Sequence, residues 1–139
     1  MSIVVLIGRV LFAALFLGSA FGHLTRTRAM AGYAASKKVP FAAATVFGSG
    51  LLLAVGGLMV LLGVWADLGA LLLVVFLVPT ALVMHSFWTV TDPQARQMDQ
   101  IHFNKDLALA GAALLAFALF AYAGDRLGLT ITGPLFHLR

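Results

Sequence analysis

The chain contains no cysteine, which excludes disulfides, thiolate metal centres and a cysteine nucleophile. Any redox role would therefore draw its electrons through a cofactor, a quinone or a partner subunit. Charge is scarce as well. Only 10% of the 139 residues are charged while 62% are hydrophobic, against roughly 25% and 45–50% in soluble domains. That balance excludes a water-soluble globule, which would expose too much apolar surface. The net charge is +4, but the basic residues are scattered and flank apolar runs. They read as topology signals, and nucleic acid is not an expected partner.

What the chain does have is long apolar runs. A membrane helix needs about 20 mostly apolar residues, and four segments qualify: residues 3–24, 40–64, 67–88 and 100–123. They form one transmembrane domain over residues 1–139. Trp65, Trp88 and Tyr122 lie at span ends, where amphipathic rings favour the membrane interface. Pro40 is expected to open the second span. Asp92 and Pro93 supply an N-cap and a first helical residue for a helix running on to about Ala123. Pro79 is expected to kink the third span. A tight "GVWADLG" turn joins spans two and three. The connection 25–39 is long enough for a short interfacial helix, with an irregular loop as the alternative.

Four spans return both termini to one side. The opposite side then carries Arg26, Arg28, Lys37, Lys38, Arg96 and Lys105, against Arg9, Arg126 and Arg139 on the side of the termini. The positive-inside rule puts the richer side in the cytoplasm and both termini outside. The expected architecture is an all-α, up-down-up-down four-helix bundle. Small residues mark helix contacts in lipid, so the stripes Ala14/Gly18/Gly22, Ala44/Gly48, Gly50/Ala54 and Ala108/Ala112/Ala116 are candidate seams, within the chain or between subunits.

Ionisable residues concentrate in one stretch, "MHSFWTVTDPQARQMDQIHFNKDLALAG". Asp99, His102 and Asp106 fall on one helical face at spacings of three and four. His85 ends span three on the same side of the membrane, and His23 ends span one there. His23, His85, His102 and Asp106 thus form a candidate ligand site. Imidazoles beside carboxylates supply hydrogen-bond donors and a proton path for a quinone headgroup, with an apolar cleft expected for its tail. The competing reading is ordinary, because helix ends at a membrane surface are polar and an early aspartate favours the helix dipole. Lys105 is expected to snorkel to lipid phosphates. No metal ligand set and no intrinsic cofactor are expected. Arg9, about two turns into span one, needs a partner at that depth. Asp67 is the expected ion-pair partner and Asp125 the other candidate.

The ordered set "GRVLFAALFLGSAFGHL", "GYAASKKVP", "LLLAVGGLMVLLGVWADLGALLL", "MHSFW" and "QIHFNKDLALAGAALL" resembles the DoxX family of small four-span membrane proteins. The resemblance implies the four-span fold and a bacterial-type inner membrane. Some members look like subunits of thiosulfate:quinone oxidoreductase or belong to oxidative-stress assemblies. It therefore implies a membrane subunit of a respiratory or redox assembly, with a quinone as possible ligand and other subunits or further copies as partners. A non-enzymatic scaffold is the alternative. One departure stands out: many members carry an acidic residue just before the Gly-Gly of span two, where this chain has "LLLAV" before Gly56 and Gly57.

Overall fold

The computed structural model describes residues 2–138, without the side chain of Asp125. Five α-helices follow one another: α1 (Ser2–Thr25), α2 (Thr27–Ser36), α3 (Ala42–Leu62), α4 (Ala66–Met84) and α5 (Pro93–Ala123). Among the described residues there is no strand. α1, α3, α5 and the stretch Ala66–Thr89 containing α4 are each long and apolar enough to cross a membrane. Large apolar side chains point outward from them: Leu115, Val4 and Phe21 are 75%, 70% and 70% exposed. Such a surface is at home only in lipid.

The helix ends follow local chemistry. Asp92 caps α5 by accepting a hydrogen bond from the Ala95 N–H at 2.8 Å, and Pro93 opens the helix. α5 has 31 residues, about 46 Å at 1.5 Å per residue, against a hydrocarbon core of about 30 Å. Its polar first third therefore extends beyond the hydrocarbon. α3 starts at Ala42, two residues after Pro40, because Phe41 is its N-cap in the left-handed region at φ 48°. α4 ends at Met84, short of Trp88; His85 is its C-cap, and a 3-10 turn at Phe87–Thr89 follows. Gly63 ends α3 at φ 68° and donates to the Met59 carbonyl. A Cβ there would also meet Arg9 Nη2 and Thr130 at 2.8 Å, so glycine is required twice over.

α3 packs between α1 and α4, α5 packs on α4, and α2 lies against α3. Consecutive spans run antiparallel. Arg9, early in α1, meets Val60 and Leu61 late in α3, while His23, late in α1, meets Ser49 early in α3. Gly128, beyond α5, lies beside Ser2, so the chain starts and finishes at one end of the bundle. Phe16, Leu53, Val60, Leu73, Leu77 and Ala113 form the centre of the core.

Three of the expected small-residue seams are displaced. On α1 the buried stripe is Arg9, Ala13, Phe16 and Ala20, whereas Ala14 and Gly18 face outward. On α5 it is Asp106, Ala110, Ala113 and Phe120, with Ala108 and Ala112 exposed. A larger residue reaches the core on each helix and sets its rotation, so the small residues alone did not mark the contact. On α3 the expectation holds at Gly50, whose Cβ position is 2.9 Å from His23 Cβ, but Ala44 and Gly48 are exposed. α1 and α5 share no comparable seam. Between them lies a cleft of about 230 Å³ lined by Gly8, Arg9, Phe12, Val60, Ala112 and Ala116.

Candidate functional site

Where α4 ends and α5 begins, His85 stands between two carboxylates. Its Nδ1 is 3.5 Å from Asp99 Oδ1 and its Nε2 is 3.7 Å from Asp106 Oδ2. Asp99 and Asp106 are both buried, Asp99 on the polar first third of α5 and Asp106 just beyond it. The imidazole of His102 stacks on that of His85, with centroids 5.0 Å apart at 29°. Lys105 Nζ lies 3.3 Å from His102 Nδ1 and 3.8 Å from Asp106 Oδ1. Lys105, about half exposed, thus joins the cluster at its rim. Phe87, Trp88 and Phe103 meet edge-to-face at 5.2–5.7 Å beside the histidines in sequence.

A residue missed as a site member completes the cluster. Lys37, just after α2, donates to Asp99 Oδ2 at 2.8 Å. That hydrogen bond from its ammonium to the Asp99 carboxylate holds Lys37 above the ordinary lysine range, against the opposing effect of burial. Only the placement of both residues on one predicted side of the membrane hinted at it. The bond ties the α2–α3 connection to α5 across 62 positions of sequence.

His23 does not join the other three predicted residues. Its Nδ1 lies 2.8 Å from Ser49 Oγ and 3.3 Å from the Val46 carbonyl, and its ring meets Phe76 edge-to-face at 5.8 Å. α1 ends level with the middle of α4, so His23 is set among α1, α3 and α4, above the His85 cluster. The apolar cleft expected beneath the histidines also lies elsewhere, at the Arg9 end between α1 and α5.

Arg9 and Asp67 are both buried, at 4% and 0% exposed, but the expected ion pair between them is not formed. Arg9 donates to the carbonyls of Val60, Leu61 and Leu129 at 2.8, 2.5 and 2.6 Å. Val60 and Leu61 belong to the last turn of α3, whose carbonyls have no partner within the helix. Asp67 accepts from the Phe136 N–H at 2.6 Å; among the described residues its Oδ1 has no hydrogen-bond partner. The other candidate, Asp125, has its side chain outside the described residues.

The antiparallel apolar spans, their lipid-facing side chains and polar clusters at the two bundle ends define a multi-pass membrane protein. The family model for DoxX matches residues 4–86, and the chain belongs to that family. No curated protein and no solved structure matches it. The matched stretch runs from α1 through His85 and leaves out α5, which carries Asp99, His102 and Asp106. The family match thus covers three of the four spans and, within the cluster, only His85 and Lys37.

Proposed function

We propose that this DoxX-family protein is the membrane subunit of a respiratory or redox assembly and presents the His85–Asp99–His102–Asp106 cluster to a quinone-type carrier. One observation carries the reading: an imidazole with a carboxylate at each nitrogen, next to a second, stacked imidazole. A quinone carbonyl needs a donor when it is reduced, and the proton must come from a group that can give it up near neutral pH; histidine meets both needs. Electrons would come from a partner subunit, since the chain has no cysteine to carry them. The six-to-three bias of basic residues favours the cluster at the cytoplasmic face and both termini outside, in a bacterial-type cytoplasmic membrane as the family membership suggests.

A second reading, a scaffold that stabilises a larger membrane complex or a homo-oligomer, is favoured by a different observation. Lys37, Asp99, His85, Asp106 and Lys105 answer one another's charges within the chain, as a structural pin would. Purification in mild detergent, followed by mass spectrometry of proteins and lipids, separates the two. A quinone that copurifies with the native protein and is lost from His102→Ala supports the first. Stable partner subunits without quinone, and an unaffected His102→Ala strain, support the second.

A further inference from the structure

We propose that His85 and Asp106 hold one proton between them, and that Asp99, held in turn by Lys37, fixes which ring nitrogen takes part. The inference rests on the site described above, though not on the identity of what binds there.

The two carboxylates around His85 are not equivalent. Asp99 has one oxygen on the Lys37 ammonium at 2.8 Å and the other facing Nδ1 at 3.5 Å. A carboxylate in contact with an ammonium stays ionised, and an anion facing Nδ1 favours a hydrogen on that nitrogen. Nε2 is then the nitrogen free to exchange, and it faces Asp106. Asp106 has no cation so close: Nε2 lies at 3.7 Å and Lys105 Nζ at 3.8 Å. The ionisable groups facing the ring are Lys37 from the α2–α3 connection and Asp99, His102, Lys105 and Asp106 from α5.

The transfer is simple. The O–H bond on Asp106 Oδ2 breaks and an N–H bond forms at His85 Nε2, so a carboxylic acid and a neutral imidazole become a carboxylate and an imidazolium. The reverse step restores them, with no electron moved and no other reactant. A separation of 3.7 Å exceeds a direct hydrogen bond; a short side-chain adjustment or one bridging water closes it. Asp99 and Lys37 are positioning residues here, because the proton does not pass through them. The pair would keep a proton at the inner edge of the site, where a bound carrier could take it or return it.

The test uses the full chain in lipid nanodiscs with ¹⁵N-labelled histidine, the His85 signals being assigned by their loss in His85→Asn. In wild type we expect the hydrogen of neutral His85 on Nδ1. We also expect a carboxylic-acid infrared band that falls as His85 gains its second proton and is absent from Asp106→Asn. Asp99→Asn should give a mixture of ring tautomers; Lys37→Met, which keeps Asp99, gives the same reading in weaker form should Asp99→Asn not fold. A wild-type ring with its hydrogen on Nε2, a tautomer indifferent to both Asp99→Asn and Lys37→Met, or a carboxyl band that survives Asp106→Asn overturns the proposal. Quinone binding, measured separately on the same samples, reports on the functional reading alone.

Discussion

Arg9 and Asp67 lie on either side of the turn joining α3 to α4, and each complements the helix end nearest to it. The Arg9 guanidinium reaches the last-turn carbonyls Val60 and Leu61 of α3, where a cation suits the helix dipole; Asp67 sits in the first turn of α4, where an anion does. Both then hold the chain that follows α5, Arg9 through the Leu129 carbonyl and Asp67 through the Phe136 N–H. Gly63 adds a third hold, its carbonyl accepting from Ile131 and Thr132. The two charges are thus coupled through helix ends and a folded tail.

Arg9→Leu removes the donor for three inward-facing carbonyls. Leaving a buried acceptor unsatisfied costs about 1–3 kcal/mol, and of the three only the Val60 carbonyl bond is fully buried, so the variant should lose about 1–3 kcal/mol in unfolding by denaturing detergent. Residues 127–138 should become open to limited proteolysis while α1–α4 stay protected. Arg9→Lys should recover only part of the loss, because an ammonium cannot reproduce the planar fork.

The Lys37–Asp99 bridge gives a signed pH dependence. Its hydrogen bond raises the Lys37 pKa in the folded protein, so this stabilisation is fully present below the ordinary lysine value of about 10.4 and is lost as pH rises through the higher folded value. Lys37→Met should therefore be less stable than wild type by about 1 kcal/mol at neutral pH. The gap should close in alkali as Lys37 loses its charge, and also in acid strong enough to protonate Asp99. Equilibrium unfolding at several pH values above neutrality reads it directly.

Close contacts separate the glycines into two classes. A Cβ at Gly56 would meet the Gly69 carbonyl at 3.1 Å, and one at Gly69 would meet Met59 Cβ at 2.7 Å and the Gly56 carbonyl at 3.0 Å. Gly69→Ala should cost about 1–3 kcal/mol by overpacking the α3–α4 seam, and Gly56→Ala somewhat less. Gly18→Ala and Gly111→Ala, whose Cβ atoms would meet nothing within 4 Å, should be neutral or slightly stabilising. Thermal stability in one detergent ranks all four.

The spans were legible because a bilayer imposes one length and one composition, and the Asp92–Pro93 start of α5 because capping is local chemistry. The face holding Asp99, His102 and Asp106 followed from helical spacing, and His85 from its place at the end of an uncharged run. Helix rotation was harder: on α1 the glycine stripe competed with Phe16, and only packing decides that contest. The depth of His23 was hidden because it depends on where α1 stops relative to α4. Lys37 was hidden because its partner is remote in sequence. The partners of Arg9 were hidden because backbone carbonyls leave no mark in the sequence. The stretch "LTITGPLFHL" carried only a weak signal, apolar residues broken by Thr, Gly and Pro, and one of its rings packs back on the bundle. Phe136 does so against Phe117, with ring centroids 5.8 Å apart.

The two tryptophans lie at opposite ends of the bundle, which allows a direct test of the ligand site. Trp65 is the N-cap of α4, at the Arg9 end, whereas Trp88 packs at 5.7 Å on Phe103, the residue after His102 on α5. Single-tryptophan variants in nanodiscs, Trp65→Phe and Trp88→Phe, can be titrated with a short-chain quinone while fluorescence is followed. The account predicts saturable quenching of Trp88 only, weakened about tenfold by His102→Ala, roughly 1.4 kcal/mol of binding. Equal, unsaturable quenching of both tryptophans, unchanged by His102→Ala, would mean simple partition into lipid and would contradict it.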